Sequence, residues 1–194
     1  LTFSGSTFAS EGKYGGHLIA AFSADPGGFD PAMGPSGMSH VVIEQVYGTL
    51  LNLDHNAVPY AGLAESWEQS EDGLKWTFKL RPDLKFHNGE ALTAEDVAFT
   101  FNRIMPEDSG YAYRSQIETI ESVVAEDDLT VAFNLNTVTG PFEIYMAFPG
   151  SSIVPKDLVE SGHDLNAEPV GSGPFKFVSY TPRDSIKFVK NEAY

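Results

Sequence analysis

The chain has 194 residues and a formal net charge of −15, with 12 Lys and Arg residues against 27 Asp and Glu residues. This length is sufficient for a real hydrophobic core, in one domain or two small ones. Proteins that bind nucleic acid through its phosphates need a basic face, so the acidic balance disfavours that class. The charge is more typical of a well-solvated surface, although an acidic exterior can also attract cationic ligands.

Several kinds of chemistry have no support in the sequence. The chain has no cysteine, which excludes disulfides, thiolate metal sites and a cysteine nucleophile. Its five histidines (17, 40, 55, 87 and 163) include no pair at a spacing that lets two imidazoles face one metal. There is no G-x-S-x-G, and Gly171-Ser172-Gly173-Pro174 lacks the lysine of a phosphate loop. We therefore predict no catalytic residues, no metal and no cofactor.

The N-terminal part reads as a tail, a strand and a long loop. Residues 1–14 are rich in Ser and Gly, which predicts a loose tail. Gly16 to Phe22 is a short apolar run bounded by glycines, which predicts a strand buried on both faces. Ser23 to Gly37 is dense in Gly and Pro, which predicts an irregular loop longer than a connection needs. Such loops often contact ligands.

Four side chains of this loop have two possible roles. Asp25 and Asp30 each precede a proline, so they either start turns or border a ligand cleft. Met33 and Met38 either line a pocket or anchor the loop.

A helix and a hairpin should follow. From Ser39, a possible N-cap, the apolar residues have helical spacing through Leu50. The segments on either side of residues 54–57 then read as a hairpin, and Trp67 is expected in the core.

The most informative stretch runs from residue 72 to residue 106. Four large apolar residues alternate with polar ones and predict a half-buried strand: Leu74, Trp76, Phe78 and Leu80. A second extended run, Lys85 to His87, ends at Asn88-Gly89, a pair typical of tight turns. Thr93 and Asp96 have the spacing of a capping box, and the helix behind it should end at Met105-Pro106.

The remaining elements follow from alternation and turn residues. They are an aromatic loop (109–115), strands at 117–125 and 129–135, helices at 142–147 and 156–161, and a hairpin within 175–188.

Three motifs carry a resemblance to a known family. The longest is W-T-F-K-L-R-x-x-L-K-F-H-N-G-E-x-L-T-A-E-D-V, beginning at Trp76. The others are Leu63-Ala64-Glu65-Ser66-Trp67 and Pro169-Val170-Gly171-Ser172-Gly173-Pro174-Phe175. Together they resemble the peptide/nickel-type (family 5) solute-binding proteins, the extracytoplasmic receptors of bacterial ABC importers. The alternative is an unrelated α+β domain with a good strand and helix cap.

The resemblance implies an α/β fold of the type II periplasmic-binding-protein class, of which this chain is the N-terminal lobe. Residues 1–44 and 169–194 would form part of the first lobe, and residues 45–168 an inserted subdomain. The resemblance also implies export to the periplasm with removal of a signal before Leu1, and a membrane permease as partner. It implies no nucleic acid and no insertion into the membrane.

The expected function is to capture a peptide or similar small solute in a cleft between two lobes. The ligand wall would come from loops 25–38, 111–113, 148–152 and 171–173. Its candidate contacts are Asp25, Phe29, Met33, Met38, Tyr111, Tyr113, Phe148, Gly150 and Ser151, each of which could instead be loop packing. The rival functions are a secreted hydrolase that uses two carboxylates and a purely structural interaction module. A hydrolase should show convergent titratable groups in a concave site, whereas a receptor half should show an open wall of aromatic rings.

Overall fold

The computed structural model describes residues 15–33 and 36–194, so the expected tail at residues 1–14 lies outside the described residues. Within them the α-helices are α1 (Gly37–Val46), α2 (Ala94–Ile104), α3 (Phe142–Tyr145) and α4 (Lys156–Glu160). Short 3-10 helices cover Arg114–Gln116 and Pro149–Ser151. The strands are β1 (Leu51–Leu53), β2 (Pro59–Ala61), β3 (Ala64–Gln69), β4 (Lys75–Leu80), β5 (Ile120–Ala125), β6 (Thr130–Leu135), β7 (Phe175–Thr181) and β8 (Ser185–Lys190).

The centre of the molecule is a four-stranded antiparallel sheet in the order β3-β4-β6-β5. One face packs against α2, because the alternating residues of β4 point there and are buried: Trp76, Phe78 and Leu80. Phe133 of β6 joins the two layers, since its ring centroid lies 4.8 Å from that of Phe101 and 5.4 Å from that of Phe78. The predicted half-buried strand is confirmed, although Leu74 precedes β4 and is partly exposed.

The start of α2 is the predicted capping box. The Asp96 carboxylate accepts a hydrogen bond from the Thr93 backbone N–H at 2.9 Å, which satisfies a donor that the helix leaves open. Asp96 also accepts from the Lys156 N–H at 2.9 Å, so the same side chain attaches α4 to α2. The predicted end of α2 at Met105 is confirmed as well.

A smaller unit consists of the β7–β8 hairpin packed on α1. Ile43 and Val46 of α1 and the following Tyr47 are buried together with Val154 and Leu165, and the hairpin face that carries Phe177 and Phe188 covers them. The other face of the hairpin remains exposed at Val178 and Val189. The predicted lobe boundary at residue 44 falls inside α1, and the division into lobe and subdomain stays a prediction.

The structure corrects several predictions. Gly16 to Phe22 is not a buried strand: Leu18 and Ile19 are 95% and 92% exposed, because no other strand of the described residues lies beside them. The N-cap of α1 is Ser36, whose side chain accepts from the Ser39 N–H at 3.1 Å, while the Ser39 hydroxyl accepts from the Gly27 N–H at 3.0 Å.

Three further differences are smaller. Lys85 to His87 does not form a strand but a single bridge between Lys85 and Ala91, closed by the Asn88-Gly89 turn. The strand expected at 117–125 begins only at Ile120, because Ile117 still ends the preceding 3-10 helix. Trp67 is partly buried, with its indole N–H donated to the Glu143 carboxylate at the edge of the core.

Candidate ligand-binding wall

Two of the four predicted ligand loops meet at the N-terminal half of α1. The ring centroids of Tyr113 and Phe148 are 4.6 Å apart and nearly perpendicular, and the Tyr111 ring lies 5.9 Å from that of Tyr113. His40 of α1 touches both, with its ring centroid 5.0 Å from Phe148 and 5.4 Å from Tyr113. We call these four residues (His40, Tyr111, Tyr113 and Phe148) the aromatic wall.

The backbone that carries Tyr111 and Tyr113 is tied down locally. After α2 ends, the Arg114 guanidinium donates to the Met105 carbonyl and so folds the loop back on the helix end. Tyr113 then precedes the 3-10 helix and accepts a hydrogen bond at its carbonyl from the Gln116 N–H at 2.9 Å. The two tyrosines are therefore presented by an ordered turn.

Gly150 lets the two loops of the wall approach each other. A Cβ atom at this position would lie 2.8 Å from the Tyr111 hydroxyl oxygen and 3.0 Å from the Phe148 ring. The first distance is shorter than real Cβ atoms show and the second is tighter than most, so a larger residue here requires the Tyr111 hydroxyl and the Phe148 ring to move. The Ser151 N–H donates to the Phe148 carbonyl at 2.8 Å and closes the turn below the ring.

Two buried hydroxyl groups stand behind the wall. Tyr111 is 6% exposed and Ser151 is fully buried, and neither hydroxyl has a hydrogen-bond partner of normal geometry among the described residues. Burial raises the pKa of Tyr111 to about 12, and the adjacent Ser151 hydroxyl opposes this slightly. As Ser151 is buried and its N–H is bonded within the turn, it supports the Phe148 ring from behind. Direct contact of Ser151 with a ligand stays a prediction.

The four candidates from the first loop have different surroundings. Asp25 is exposed, and its carboxylate accepts from the Arg183 N–H in the β7–β8 turn at 3.0 Å. Phe29 is buried between Phe177 and Tyr180, at centroid distances of 5.5 and 5.1 Å. Both residues therefore attach the loop to the hairpin, and their contact with a ligand stays a prediction.

The two methionines are more accessible. Met33 is about half exposed, and its thioether end lies next to Gly110, directly before Tyr111. Met38 is partly exposed on the first turn of α1, two residues before His40. Both lie close in sequence or space to the aromatic wall, and their role as ligand contacts stays a prediction.

The fourth predicted loop serves the fold. Gly171, Ser172 and Gly173 are buried, and the Gly173 N–H donates to the Val46 carbonyl at 2.8 Å, at the opposite end of α1 from His40. His87 binds this turn with both ring nitrogens: Nδ1 accepts from the Gly171 N–H at 3.4 Å, and Nε2 lies 3.0 Å from the Gly173 carbonyl. Burial is the main reason that the pKa of His87 is lowered.

Sequence reasoning missed three residues near the first loop. These residues are His40, Asn166 and Arg103. Asn166 Oδ1 accepts hydrogen bonds from the Phe29 and Asp30 N–H groups at 2.9 and 3.1 Å. Arg103 forms an ion pair with Asp30. Asp30 also accepts a hydrogen bond from the Ala32 N–H at 2.9 Å and so starts a turn, which is one of its two expected roles. A side chain more than 130 residues away in the chain leaves no local pattern that could predict it.

Three members of the wall are partly exposed (His40, Tyr113 and Phe148) and Tyr111 is buried, and none of the four carries a carboxylate or ammonium group. Two open depressions lie away from the wall, one of about 530 Å³ beside Asp72 and Glu121 and one of about 320 Å³ beside Glu95 and Asp157. In the described part of the chain no three metal-binding side chains cluster, and no helix is long and apolar enough to span a bilayer.

Comparison with known proteins decides the family. Residues 58–194 match the model of the bacterial extracellular solute-binding proteins, family 5 (middle region). The chain belongs to this family. The expected resemblance and the type II periplasmic-binding-protein fold class are thereby confirmed. Family members and structural neighbours are binding proteins, and the hydrolase alternative finds no support among them.

Individual relatives resemble this family member over most of its length. It is 34% identical to di/tripeptide-binding protein 4 of Pseudomonas aeruginosa, over 92% of this chain and 38% of that protein. Among solved structures, DppA from Helicobacter pylori in complex with the peptide STSA has a TM-score of 0.81 at 33% identity, over 88% of this chain and 38% of that one. AgaA from A. tumefaciens R10 in complex with agropinic acid has a TM-score of 0.80 at 32% identity, over 86% and 34%. The chain thus spans little more than a third of the length of these relatives.

Proposed function

We propose that this chain is the first wall of the substrate-binding component of an ABC importer. The complete protein would capture a peptide or a similar small solute between two lobes and deliver it to a membrane permease. Family membership and relatives named as di/tripeptide-binding proteins support a peptide ligand. A second candidate class is other small solutes, since the similar protein AgaA was solved in complex with agropinic acid.

The observation that carries the proposal is the aromatic wall. Four rings from three separate segments meet, and three of them (His40, Tyr113 and Phe148) are partly exposed. Exposed ring faces offer a ligand flat apolar contact with little loss of conformational entropy. Such a surface suits a side chain of the ligand, whereas a catalytic site would need convergent titratable groups.

A single open wall leaves most of a ligand in water. Small-molecule sites that bind tightly bury about 70–90% of the ligand surface. As the chain spans about two fifths of its relatives' length, we infer that the second wall is supplied from outside these residues. Closure of two lobes would exclude water and present a new surface to the permease.

The cellular setting follows from the same family. We propose that the protein is exported and works on the outer side of the cytoplasmic membrane, with the permease subunits of an importer as its partners. The proposed division of the chain is a first lobe (1–44 and 169–194) with an inserted subdomain (45–168). The contacts of Asp25 with Arg183 and of Phe29 with Phe177 and Tyr180 support joining the two outer segments.

Calorimetry on the full-length protein tests the proposal. The probes are the tetrapeptide Ser-Thr-Ser-Ala, the dipeptide Met-Leu and agropinic acid, each titrated into the full-length protein and into the 194-residue chain. We expect at least one probe to bind the full-length protein with a micromolar or lower Kd, about −8 kcal/mol, and the chain alone to bind it at least about 100-fold more weakly. No binding to the full-length protein, or equally tight binding to the isolated chain, would overturn the proposal.

A pair of glycine substitutions tests the wall itself. Gly150→Ala should weaken binding of the same probe, because the new methyl group displaces the Tyr111 hydroxyl or the Phe148 ring. Gly140→Ala is the matched control, as a Cβ there meets no atom within 4 Å. If both variants fold and bind alike, the aromatic wall is not the ligand site.

A further inference from the structure

His40 is the point at which the aromatic wall is attached to α1. Its imidazole stands at 84° to the Phe148 ring and at 46° to the Tyr113 ring, and its Nε2 lies 3.2 Å from the Tyr113 hydroxyl oxygen. His40 therefore packs against the ring of Phe148 on one loop, and both packs against and hydrogen-bonds to Tyr113 on the other. The lone histidine gave no sequence signal, because no second histidine stands at helical spacing.

The helix below His40 is fixed. Ser36 caps it, Ile43 and Val46 are fully buried, and the His40 N–H donates to the Ser36 carbonyl at 3.1 Å. Tyr113 and Phe148, by contrast, lie on loops that approach from different parts of the chain. A side chain on a rigid helix that contacts two loops can hold both in register.

We propose that His40 is a positioning and specificity-determining residue of the ligand wall, which keeps Tyr113 and Phe148 aligned to receive a neutral apolar or aromatic side chain of the ligand. This inference rests on the proposed function. The class of ligand group follows from the chemistry of the wall, which consists of ring faces and hydroxyls and includes no fixed charge. An ionised ligand side chain placed there would lose water without gaining a partner.

The charge of His40 gives this role a distinctive signature. Burial lowers the pKa of His40 below its ordinary value of 6.5, so the imidazole is neutral at physiological pH. Around it lie the Tyr111 and Tyr113 hydroxyls, and Arg114 next to Tyr113 directs its guanidinium to Met105 and Glu107. On its own helix the other titratable residue is Glu44. Protonation in acid therefore adds a positive charge to the wall and makes both ring nitrogens of His40 donors.

A selectivity measurement tests the proposal on the full-length protein. The probes are the dipeptides Ala-Phe and Ala-Asp, titrated by calorimetry at about pH 7.5 and about pH 5.5, where the Asp side chain remains ionised at both. We expect Ala-Phe to be preferred near neutrality and the preference to fall by about three- to tenfold in acid, as the wall becomes cationic.

Three substitutions separate the roles of the ring and of its charge. His40→Gln keeps a group that can hydrogen-bond to Tyr113 but cannot titrate, so the preference for Ala-Phe should no longer change with pH. His40→Ala should weaken Ala-Phe binding by about three- to tenfold at neutral pH through lost ring contacts. His55→Gln, in the exposed β1–β2 turn, is the control and should bind as the unsubstituted protein does.

The outcomes distinguish the two proposals. If the unsubstituted protein binds neither these dipeptides nor the earlier probes, both proposals are overturned. If it binds peptides but the His40→Ala and His40→Gln proteins, shown to be folded by urea titration, keep its affinity and its pH dependence, only the role of His40 is overturned.

Discussion

The four-stranded sheet and the β7–β8 hairpin use similar residues but differ in what covers them. Phe133 of the sheet is fully buried among other rings, whereas Phe175 of the hairpin is 39% exposed. The sheet is covered by α2 on its apolar face, but the hairpin has two strands and one covered face. An isolated hairpin is marginally stable, so we infer that its order depends on α1 and on the contacts that join it to the sheet unit. Two of these contacts are the hydrogen bond from the Lys176 ammonium to the His87 carbonyl and the bonds of the His87 ring to the 171–173 turn directly before β7. The pairing of Asp30 with Arg103 joins the first loop to α2.

The largest expected effect is in the core of the sheet. Phe133→Ala should lower the free energy of unfolding by about 3–5 kcal/mol, because it leaves a cavity between Phe78, Phe101 and Phe142. Phe175→Ala, the same change in the hairpin, should cost less than about 1 kcal/mol. Urea unfolding of both variants measures the difference. Equal losses would mean that the hairpin is as well packed as the sheet.

The next effect concerns the link between the first loop and α2. Asp30→Ala leaves the Arg103 guanidinium without its carboxylate, at a site where the Asp30 side chain is 8% and that of Arg103 is 24% exposed. We expect the free energy of unfolding to fall by about 2–4 kcal/mol. This loss is near or below the range for fully buried pairs, because Arg103 is partly exposed. Lys190→Ala, which breaks an exposed pair with Glu192 in the hairpin region, should cost no more than about 0.5 kcal/mol. Thermal or urea unfolding measures both losses, and equal stability of the two variants would contradict the expected difference.

The link through His87 should depend on pH. Since burial, with a smaller contribution from Lys176, lowers its pKa below 6.5 in the folded protein, protonation favours the unfolded chain. Neutral His87 therefore makes its full contribution to the stability of the fold above pH 6.5. That contribution is lost as the pH falls through the folded-state pKa. Urea titrations between neutral pH and pH of about 5 should show this loss in the unsubstituted protein and a smaller one in His87→Gln. His55→Gln is the control and should retain the full pH dependence.

The smallest effect is expected at the exposed N-terminal segment. Leu18→Lys should change the stability of the 194-residue chain by no more than about 0.5 kcal/mol, because the Leu18 side chain is 95% exposed. A loss above about 1 kcal/mol, measured by urea unfolding, would show that residues 16–22 are packed against the fold.

What the sequence predicted well was local. Alternation in β4, the capping box of α2 and the Asn88-Gly89 turn each involve residues a few positions apart, so neighbouring residues suffice to determine them. The convergence of loops 111–113 and 148–151 followed from the family resemblance. Residues 16–22 misled because an apolar run carries no information on whether a second strand lies beside it. His40 and Asn166 act on residues far along the chain, which no local pattern indicates.

The Asn166 side chain also bears on the order of folding. The backbone N–H groups of Phe29 and Asp30 bond to Asn166, which lies 137 and 136 positions later in the chain. Asp25 bonds to Arg183, 158 positions later. Such distant contacts form slowly, since a long stretch of chain has to be closed into a loop first. During synthesis, the earliest-made loop therefore has to wait for the last third of these residues before it acquires its shape. Until then this loop is open to chaperones, while the sheet between the two segments can already have formed.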